Sequence, residues 1–186
     1  MKIGILGGSF NPPHIGHLIL AEYVKEALGL DKVIFVPCNI PPHKIKAKIA
    51  AGKFRLQMLR LAVKGRKDFQ VSDLEIKRGG ISYTVDTLEI IKKKYPKARL
   101  FLIIGSDLYK DFSSWYKPSR IKKLAKLVVV ERAPLRKRER GVLSLDMPQI
   151  EISSSLIRER VKRGISIKYL VPEEVRKYIY HNKLYR

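Results

Sequence analysis

The residues best suited to chemistry are two histidines, His14 and His17, which follow a turn rich in glycine and proline. The turn comes after an apolar run at 3–6 that predicts a buried strand, and before a helical pattern that ends at Gly29. A helix start offers N–H groups and partial positive charge, and imidazoles add hydrogen-bond donors. Gly16 leaves room for a close approach. The pattern predicts a phosphate site; the alternative is a tight turn with two incidental histidines.

Alternating apolar and helical segments predict how these residues are positioned. Strand-like runs lie at 3–6, 33–36, 100–104 and 127–130, and helix-like stretches at 15–28, 53–63, 85–94 and 119–124. Shorter strands are predicted near 69–71 and 149–152, and two further helices at 154–163 and 172–181. This order predicts an α/β fold, a Rossmann-like doubly wound parallel sheet with a small C-terminal helical lobe. Such sheets bind ligands at the carboxyl ends of their strands, which is where the two histidines fall.

Size and composition are those of one globular domain. The 186 residues are enough for a substantial core, so we expect a single domain spanning 1–186. No apolar run reaches the ~18 residues that cross a bilayer, and no charged and apolar leader opens the chain, so we expect a cytoplasmic protein without a membrane partner. Cys38 is the only cysteine, which excludes an intrachain disulfide. The net charge of +22 suits phosphate-bearing substrates, although a solvated basic surface is the simpler explanation.

Two segments carry a family resemblance. The first, Gly7-Gly8-Ser9-Phe10-Asn11-Pro12-Pro13-His14-Ile15-Gly16-His17, resembles the H-x-G-H signature of the nucleotidylyltransferase superfamily. The second, Ile152-Ser153-Ser154-Ser155-Leu156-Ile157-Arg158, resembles the Ser-rich signature of the same superfamily. Four further segments are similar to the nicotinate-nucleotide adenylyltransferase family: 39–44, 81–88, 104–116 and 130–134. Two small departures are Asn11, where the family often has Asp, and Ser155, where Thr is frequent.

The resemblance implies transfer of AMP from ATP to nicotinate mononucleotide in NAD biosynthesis, with release of pyrophosphate. His14, His17 and Arg158 would be the catalytic residues, because they would hold phosphates on which charge develops. The implied ATP site contains these three and a further set: Gly8, Ser9, Phe10, Gly105, Asp107, Arg132, Ile152, Ser153 and Ser154. Mg²⁺ would bind mainly through the ATP phosphates, without a metal site built from protein ligands.

The resemblance also implies an acceptor site for nicotinate mononucleotide. Its residues would be Asn39, His43, Lys44, Tyr83, Thr84 and Trp115. Trp115 would stack on the pyridine ring, although a core or rim tryptophan is an equally good interpretation of the sequence alone. Thr84, near a predicted helix start, would offer N–H donors to the nicotinate carboxylate, and it would also serve as an ordinary cap. Simple capping is likewise an alternative for Asp107 and Ser153.

Other functions share part of this pattern. A pantetheine-phosphate adenylyltransferase has both superfamily signatures, but the Pro41-Pro42-His43 and Trp115-Tyr116 segments argue against it. Class I aminoacyl-tRNA synthetases share the H-I-G-H sequence, but no Lys-Met-Ser-Lys-Ser-like segment is present. A free RNA-binding module needs a basic stripe with stacking aromatics, and the aromatics here are scattered. We therefore expect ATP and nicotinate mononucleotide as partners and no nucleic acid, and leave formation of a homo-oligomer open.

Overall fold

A single parallel sheet organises the molecule. The computed structural model describes residues 1–42, 49–131, 141–148 and 150–186. Within them the strands are β1 (Lys2–Gly8), β2 (Lys32–Pro37), β3 (Phe69–Val71), β4 (Arg99–Gly105), β5 (Ala125–Glu131) and β6 (Val142–Asp146). They lie in the order β3-β2-β1-β4-β5-β6, and every pairing is parallel. The doubly wound sheet is thereby confirmed, and its switch point lies between β1 and β4.

Helices connect the strands and cover the sheet. They are α1 (Ile15–Leu28), α2 (Gly52–Ala62), α3 (Leu74–Arg78), α4 (Thr84–Lys94), α5 (Ser106–Tyr109), α6 (Pro118–Leu124), α7 (Ser154–Lys162) and α8 (Glu173–His181), with a 3-10 turn at Phe112–Ser114. Helix α1 has the predicted bounds, and Gly29 closes it in the left-handed conformation, with φ of 57°. Among the residues that the structure describes, no helix is long and apolar enough to span a membrane.

Three apolar clusters hold these elements together. The central strands are buried on both faces, which explains their continuous apolar runs. One cluster joins the sheet to α4 and α6, and a second joins its other face to α1 and α2. The third lies within the C-terminal helices α7 and α8 and takes in Met58 from α2. The predicted helical lobe is therefore confirmed, and it is fastened to α2 beside the first motif.

The last strand lies elsewhere than predicted. The short strand expected near 149–152 is wrong, because residues 150–152 belong to no strand and β6 occupies Val142–Asp146. The two isoleucines that suggested a strand pack against other parts of the protein. Ile150 lies close to Gly16, and Ile152 packs on the apolar cluster of the C-terminal lobe. Strand β6 forms one edge of the sheet, is only half-buried over most of its length and pairs only with β5, so its apolar pattern is weak.

Candidate active site

Buried polar side chains gather around one edge of the sheet. In the described part of the chain they are Asn11, His14, Arg55, Glu75, Ser82, Thr87 and Ser106. All lie in loops or helix turns at the carboxyl end of the strands or are hydrogen-bonded to such a loop. Burying a polar group costs free energy unless it is paired, so such a concentration needs a reason. The carboxyl edge is where parallel sheets bind ligands, and it is the candidate site.

The first motif places its two histidines at the start of α1. His14 is the N-cap residue, in an extended conformation, and it is 5% exposed. Its N–H donates to Nδ1 of His17 over 3.1 Å, and the two ring centroids are 3.7 Å apart. Phe10 packs edge-on against His17, with 5.0 Å between the ring centroids. Because Nδ1 of His17 accepts a bond, the proton of its neutral ring lies on Nε2, which can donate to a phosphate oxygen.

The N–H groups at the start of α1 are largely engaged within the protein. The Ile15 N–H donates to the Leu170 carbonyl over 3.0 Å, and the His17 N–H donates to the His14 carbonyl over 2.9 Å. The helix start was expected to present unpaired N–H groups, and for Ile15 this is wrong because the C-terminal lobe supplies an acceptor. The two imidazoles and the helix dipole are therefore the main means of binding an anion here.

The second motif forms the start of α7 and reaches the first motif directly. Ser153 is the N-cap, and its Oγ accepts the Leu156 N–H over 3.1 Å, so the capping interpretation is correct for this residue. The Ser154 hydroxyl donates to the Pro12 carbonyl over 2.8 Å. Arg158 donates from Nη1 to the Asn11 carbonyl over 2.8 Å and from Nη2 to Ser155 Oγ over 3.0 Å. The two motifs thus meet in one place.

Asn11 is the junction between three parts of the chain. Besides the Arg158 bond to its carbonyl, its side-chain Oδ1 accepts the Ala50 N–H over 3.1 Å and the Tyr185 hydroxyl over 2.9 Å. Asn11 is 2% exposed. Burial raises the pKa of Tyr185 well above its usual range, so the phenol stays protonated and can keep donating. The nucleotide loop is held in this way by the start of α2 and by the C-terminal lobe.

The loop after β2 is joined to the segment before α4. The Asn39 N–H donates to Ser82 Oγ over 2.8 Å, and the Asn39 side-chain amide donates to the Gly80 carbonyl over 3.0 Å. Behind them lies Glu75, whose carboxylate accepts bonds from the hydroxyls of Thr87 and Ser82. Burial raises the pKa of Glu75 above its ordinary range. These bonds hold two of the segments predicted to bind the acceptor side by side.

The start of α4 faces the same region. The helix begins at Thr84 and its N-cap is Tyr83, so Thr84 lies inside the first turn and is not the cap. The ring of Tyr83 lies 4.7 Å from that of Tyr116, centroid to centroid, which brings the 115–116 segment to the helix start. Trp115 is half-buried and packs on Phe112, at 5.4 Å between ring centroids. Tyr83, Thr84 and Trp115 therefore share one side of the site.

The remaining predicted residues fall in three groups. Gly8 ends β1, and Ser9 and Phe10 begin the loop that follows. Phe10 lies in the core at 1% exposure, so a contact between Phe10 and ATP has to use its backbone. Gly105 is the N-cap of α5, with open space where a Cβ would stand, and Asp107 is exposed in the first turn of that helix and does not cap it. His43, Lys44 and Arg132 lie outside the described residues.

Known proteins match this chain along its whole length. A cytidylyltransferase-like family model matches residues 5–160. A probable nicotinate-nucleotide adenylyltransferase of Exiguobacterium sibiricum is 44% identical, covering 100% of this chain and 99% of its own length. The nicotinate-nucleotide adenylyltransferase of Bacillus subtilis is 40% identical, covering 99% of this chain and 98% of its own length. The chain belongs to the nicotinate-nucleotide adenylyltransferase family.

Solved structures of proteins so named share the fold. A Plasmodium falciparum nicotinic acid mononucleotide adenylyltransferase, complexed with NaAD, superposes with a TM-score of 0.83 at 21% identity, covering 99% of this chain and 97% of the other. A putative nicotinate-nucleotide adenylyltransferase of Vibrio parahaemolyticus gives a TM-score of 0.74 at 24% identity, covering 100% of this chain and 95% of the other. At these identities the likeness concerns the fold alone.

Sequence reasoning on this member of the nicotinate-nucleotide adenylyltransferase family missed three residues around the site. Glu75 and Tyr185 are ordinary in the sequence and gave no signal. Arg55 did give one, because it stands with Met58 and Leu59 on the buried stripe of α2, where helical spacing calls for apolar side chains. An arginine on such a stripe has to be explained by its hydrogen-bond partners.

Proposed function

We propose that this chain transfers AMP from ATP to nicotinate mononucleotide, giving nicotinate adenine dinucleotide and pyrophosphate, as a step of NAD biosynthesis. The observation that carries the proposal is the junction of two motifs distant in sequence. Arg158 binds the Asn11 carbonyl across a separation of 147 residues, in the same loop that leads to the adjacent rings of His14 and His17. Relatives that match the chain over its full length are named for this activity.

The reaction requires placement and charge more than proton transfer. An oxygen of the acceptor's phosphate attacks the α-phosphorus of ATP and forms a new P–O bond. The bond from the α-phosphorus to the bridging oxygen breaks, and its electron pair leaves with pyrophosphate. A phosphate oxygen is already a nucleophile at neutral pH, so no general base is needed. The protein has to hold both substrates in line and stabilise charge on the phosphates.

His17, Arg158 and the start of α7 are suited to binding the phosphates. His17 donates from Nε2 to a phosphate oxygen, because its Nδ1 is held by the His14 backbone. Arg158 uses two of its five N–H groups within the protein, which leaves others for phosphate. The start of α7 adds its dipole from the same side, next to Pro12. These contacts are suited to the phosphates of ATP.

Mg²⁺ belongs to the proposal as an ion carried by ATP. In the part of the chain that the structure describes, no group of three or more His, Cys, Asp or Glu side chains could hold a metal ion. The loop presents imidazole, guanidinium and hydroxyl groups, all of which can donate hydrogen bonds to phosphate oxygens. This donor set fits an ion bound mainly through the phosphates, where it would neutralise part of their charge.

The acceptor side favours nicotinate over nicotinamide. Helix α4 begins at Thr84, so its first-turn N–H groups and its dipole favour an anion at that end. Asp86 lies in the same turn and offsets part of this field, so hydrogen bonding contributes more than net charge. A carboxylate accepts bonds at both oxygens, whereas a carboxamide turns an NH₂ toward N–H donors. An unpaired buried group costs about 1–3 kcal/mol, which corresponds to roughly tenfold to hundredfold discrimination.

Pyrophosphate release with three acceptors tests the proposal. ATP and Mg²⁺ are supplied with nicotinate mononucleotide, nicotinamide mononucleotide or 4′-phosphopantetheine, and products are identified by mass. We expect the dinucleotide from nicotinate mononucleotide, with kcat/KM at least about tenfold above that of the nicotinamide analogue. Equal values for the two mononucleotides would refute the role given to Thr84. Preference for 4′-phosphopantetheine would refute the acceptor assignment, and no product with any acceptor would refute the function.

A further inference from the structure

Arg55 is the largest fully buried side chain of the described residues, with 1% exposure. Its guanidinium donates mainly to main-chain carbonyls, with one longer contact from Nη1 to Cys38 Sγ at 4.0 Å. Nη1 donates to the carbonyls of Ser9 over 2.9 Å and Cys38 over 2.6 Å, and Nη2 donates to that of Asn39 over 3.2 Å. Nε donates to the carbonyl of Ala50 over 2.7 Å. One side chain thus ties the loop after β1 to the loop after β2.

Arg55 makes no ion pair in the described part of the chain, although the buried Glu75 acts on the same Cys38 side chain that Arg55 contacts. None of the ion pairs found there includes it. Carbonyl oxygens satisfy the N–H groups, but they do not neutralise a buried cation, and such a cation is costly to bury. Arginine keeps its charge in proteins. Arg55 therefore places a positive charge behind the loops after β1 and β2, which are the loops proposed to bind the anionic substrates.

We propose that Arg55 is a positioning residue that sets the separation of the nucleotide loop and the acceptor loop, and that its unpaired charge favours binding of both phosphate-bearing substrates. This rests on the proposed function. The distance from the acceptor's phosphate to the α-phosphorus depends on how Ser9 and Asn39 are placed relative to each other. An error of about 1 Å in such a distance can cost 10²-fold in rate.

Two variants separate the two roles of the side chain. Arg55→Lys keeps the charge but cannot reach three segments with one ammonium group, so we expect kcat to fall about 10- to 100-fold with little change in either KM. Arg55→Met also removes the charge, so the KM values for ATP and nicotinate mononucleotide should both rise by about tenfold or more. The matched control is Met58→Ala on the same helix, a side chain with 0% exposure that packs on the C-terminal lobe.

The readouts are kcat, both KM values and urea unfolding, all measured where each variant is fully folded. Met58→Ala should lose stability and keep kcat/KM within twofold of the unaltered protein. The proposal is overturned if Arg55→Lys has unaltered kcat, if Met58→Ala loses as much activity as the Arg55 variants, or if neither Arg55 variant folds. Activity of the unaltered protein is measured first, because its absence would refute the proposed function, whereas an active protein with silent Arg55 variants would refute this inference alone.

Discussion

The substitution Gly16→Ala tests whether the placement of His14 sets the rate. Gly16 is the second residue of α1, and a Cβ built on it would lie 3.1 Å from Nδ1 and 3.2 Å from Cε1 of His14. Ordinary contacts of a Cβ begin near 3.4 Å, so the imidazole would have to move by a few tenths of an ångström. His14 is 5% exposed and its ring lies against that of His17, so the displacement would be passed to His17.

The stability and the rate should respond differently to this change. Alanine is favoured over glycine in a helix interior by about 1 kcal/mol and by less near the ends, which offsets the strain of the close contact. We therefore expect the free energy of unfolding to change by less than about 1 kcal/mol. A displacement of about 1 Å can cost 10²-fold, so a few tenths should lower kcat roughly tenfold, or about 1.4 kcal/mol of activation free energy.

The assay compares Gly16→Ala with a matched glycine elsewhere. Gly52 begins α2, and its added Cβ would lie 3.3 Å from Cγ1 and Cγ2 of Ile76, a half-buried aliphatic side chain that can shift. Gly52→Ala should keep kcat within about twofold. Pyrophosphate release gives kcat and KM, and urea unfolding gives stability. Unaltered kcat in Gly16→Ala, with both proteins folded, would show that His14 does not need its observed position.

Two further predictions concern single charged residues. Arg158→Lys should lower kcat/KM for ATP about 10- to 100-fold, because one ammonium group cannot hold Asn11 and Ser155 in place and bind phosphate as well. Unchanged kinetics would show that Arg158 does not contact ATP. Asp68→Asn should lower the free energy of unfolding by about 1 kcal/mol at pH 7 and leave kcat unchanged, because Asp68 pairs with Lys25 and Arg66 on the surface. Hydrogen bonds from Arg66 hold the pKa of Asp68 well below its usual range, so its ionised form is stabilised by folding. The difference between the two proteins in urea unfolding should therefore shrink as the pH falls below about 4, and a constant difference would contradict this.

The parts of the fold that could be predicted are those with strong local patterns. Four strands are continuous apolar runs because parallel strands are buried on both faces, and each run falls within an observed strand. Helix α1 has a clear C-terminal glycine, so both of its bounds could be predicted. The edge strand β6 could not, since only one neighbour pairs with it and its side chains are all partly exposed. A more apolar segment nearby, with Ile150 and Ile152, gave the stronger and misleading pattern.

The structure brings the two motifs together, and the bonds that hold them could be predicted only in part. Side-chain types and spacing indicate a phosphate site at His14 and His17 because strand ends and helix starts can be read locally. The acceptor of the Ile15 N–H could not be predicted, because Leu170 is far away in sequence and its carbonyl carries no residue-specific signal. The roles of Glu75 and Tyr185 likewise depend on tertiary contacts made by ordinary side chains.

At position 11 this chain carries a neutral asparagine where the family often has an aspartate, and the difference changes the charge of the junction. Asn11 Oδ1 accepts two hydrogen bonds, one from the Ala50 N–H and one from the Tyr185 hydroxyl. An aspartate oxygen could accept both equally well. An aspartate would add a buried anion beside Arg158, whose guanidinium binds the Asn11 carbonyl. That anion would compete with phosphate for the positive charge of Arg158 and of nearby Arg55. A neutral asparagine keeps the junction and leaves both guanidinium charges to the substrates, which is consistent with catalysis by placement and charge.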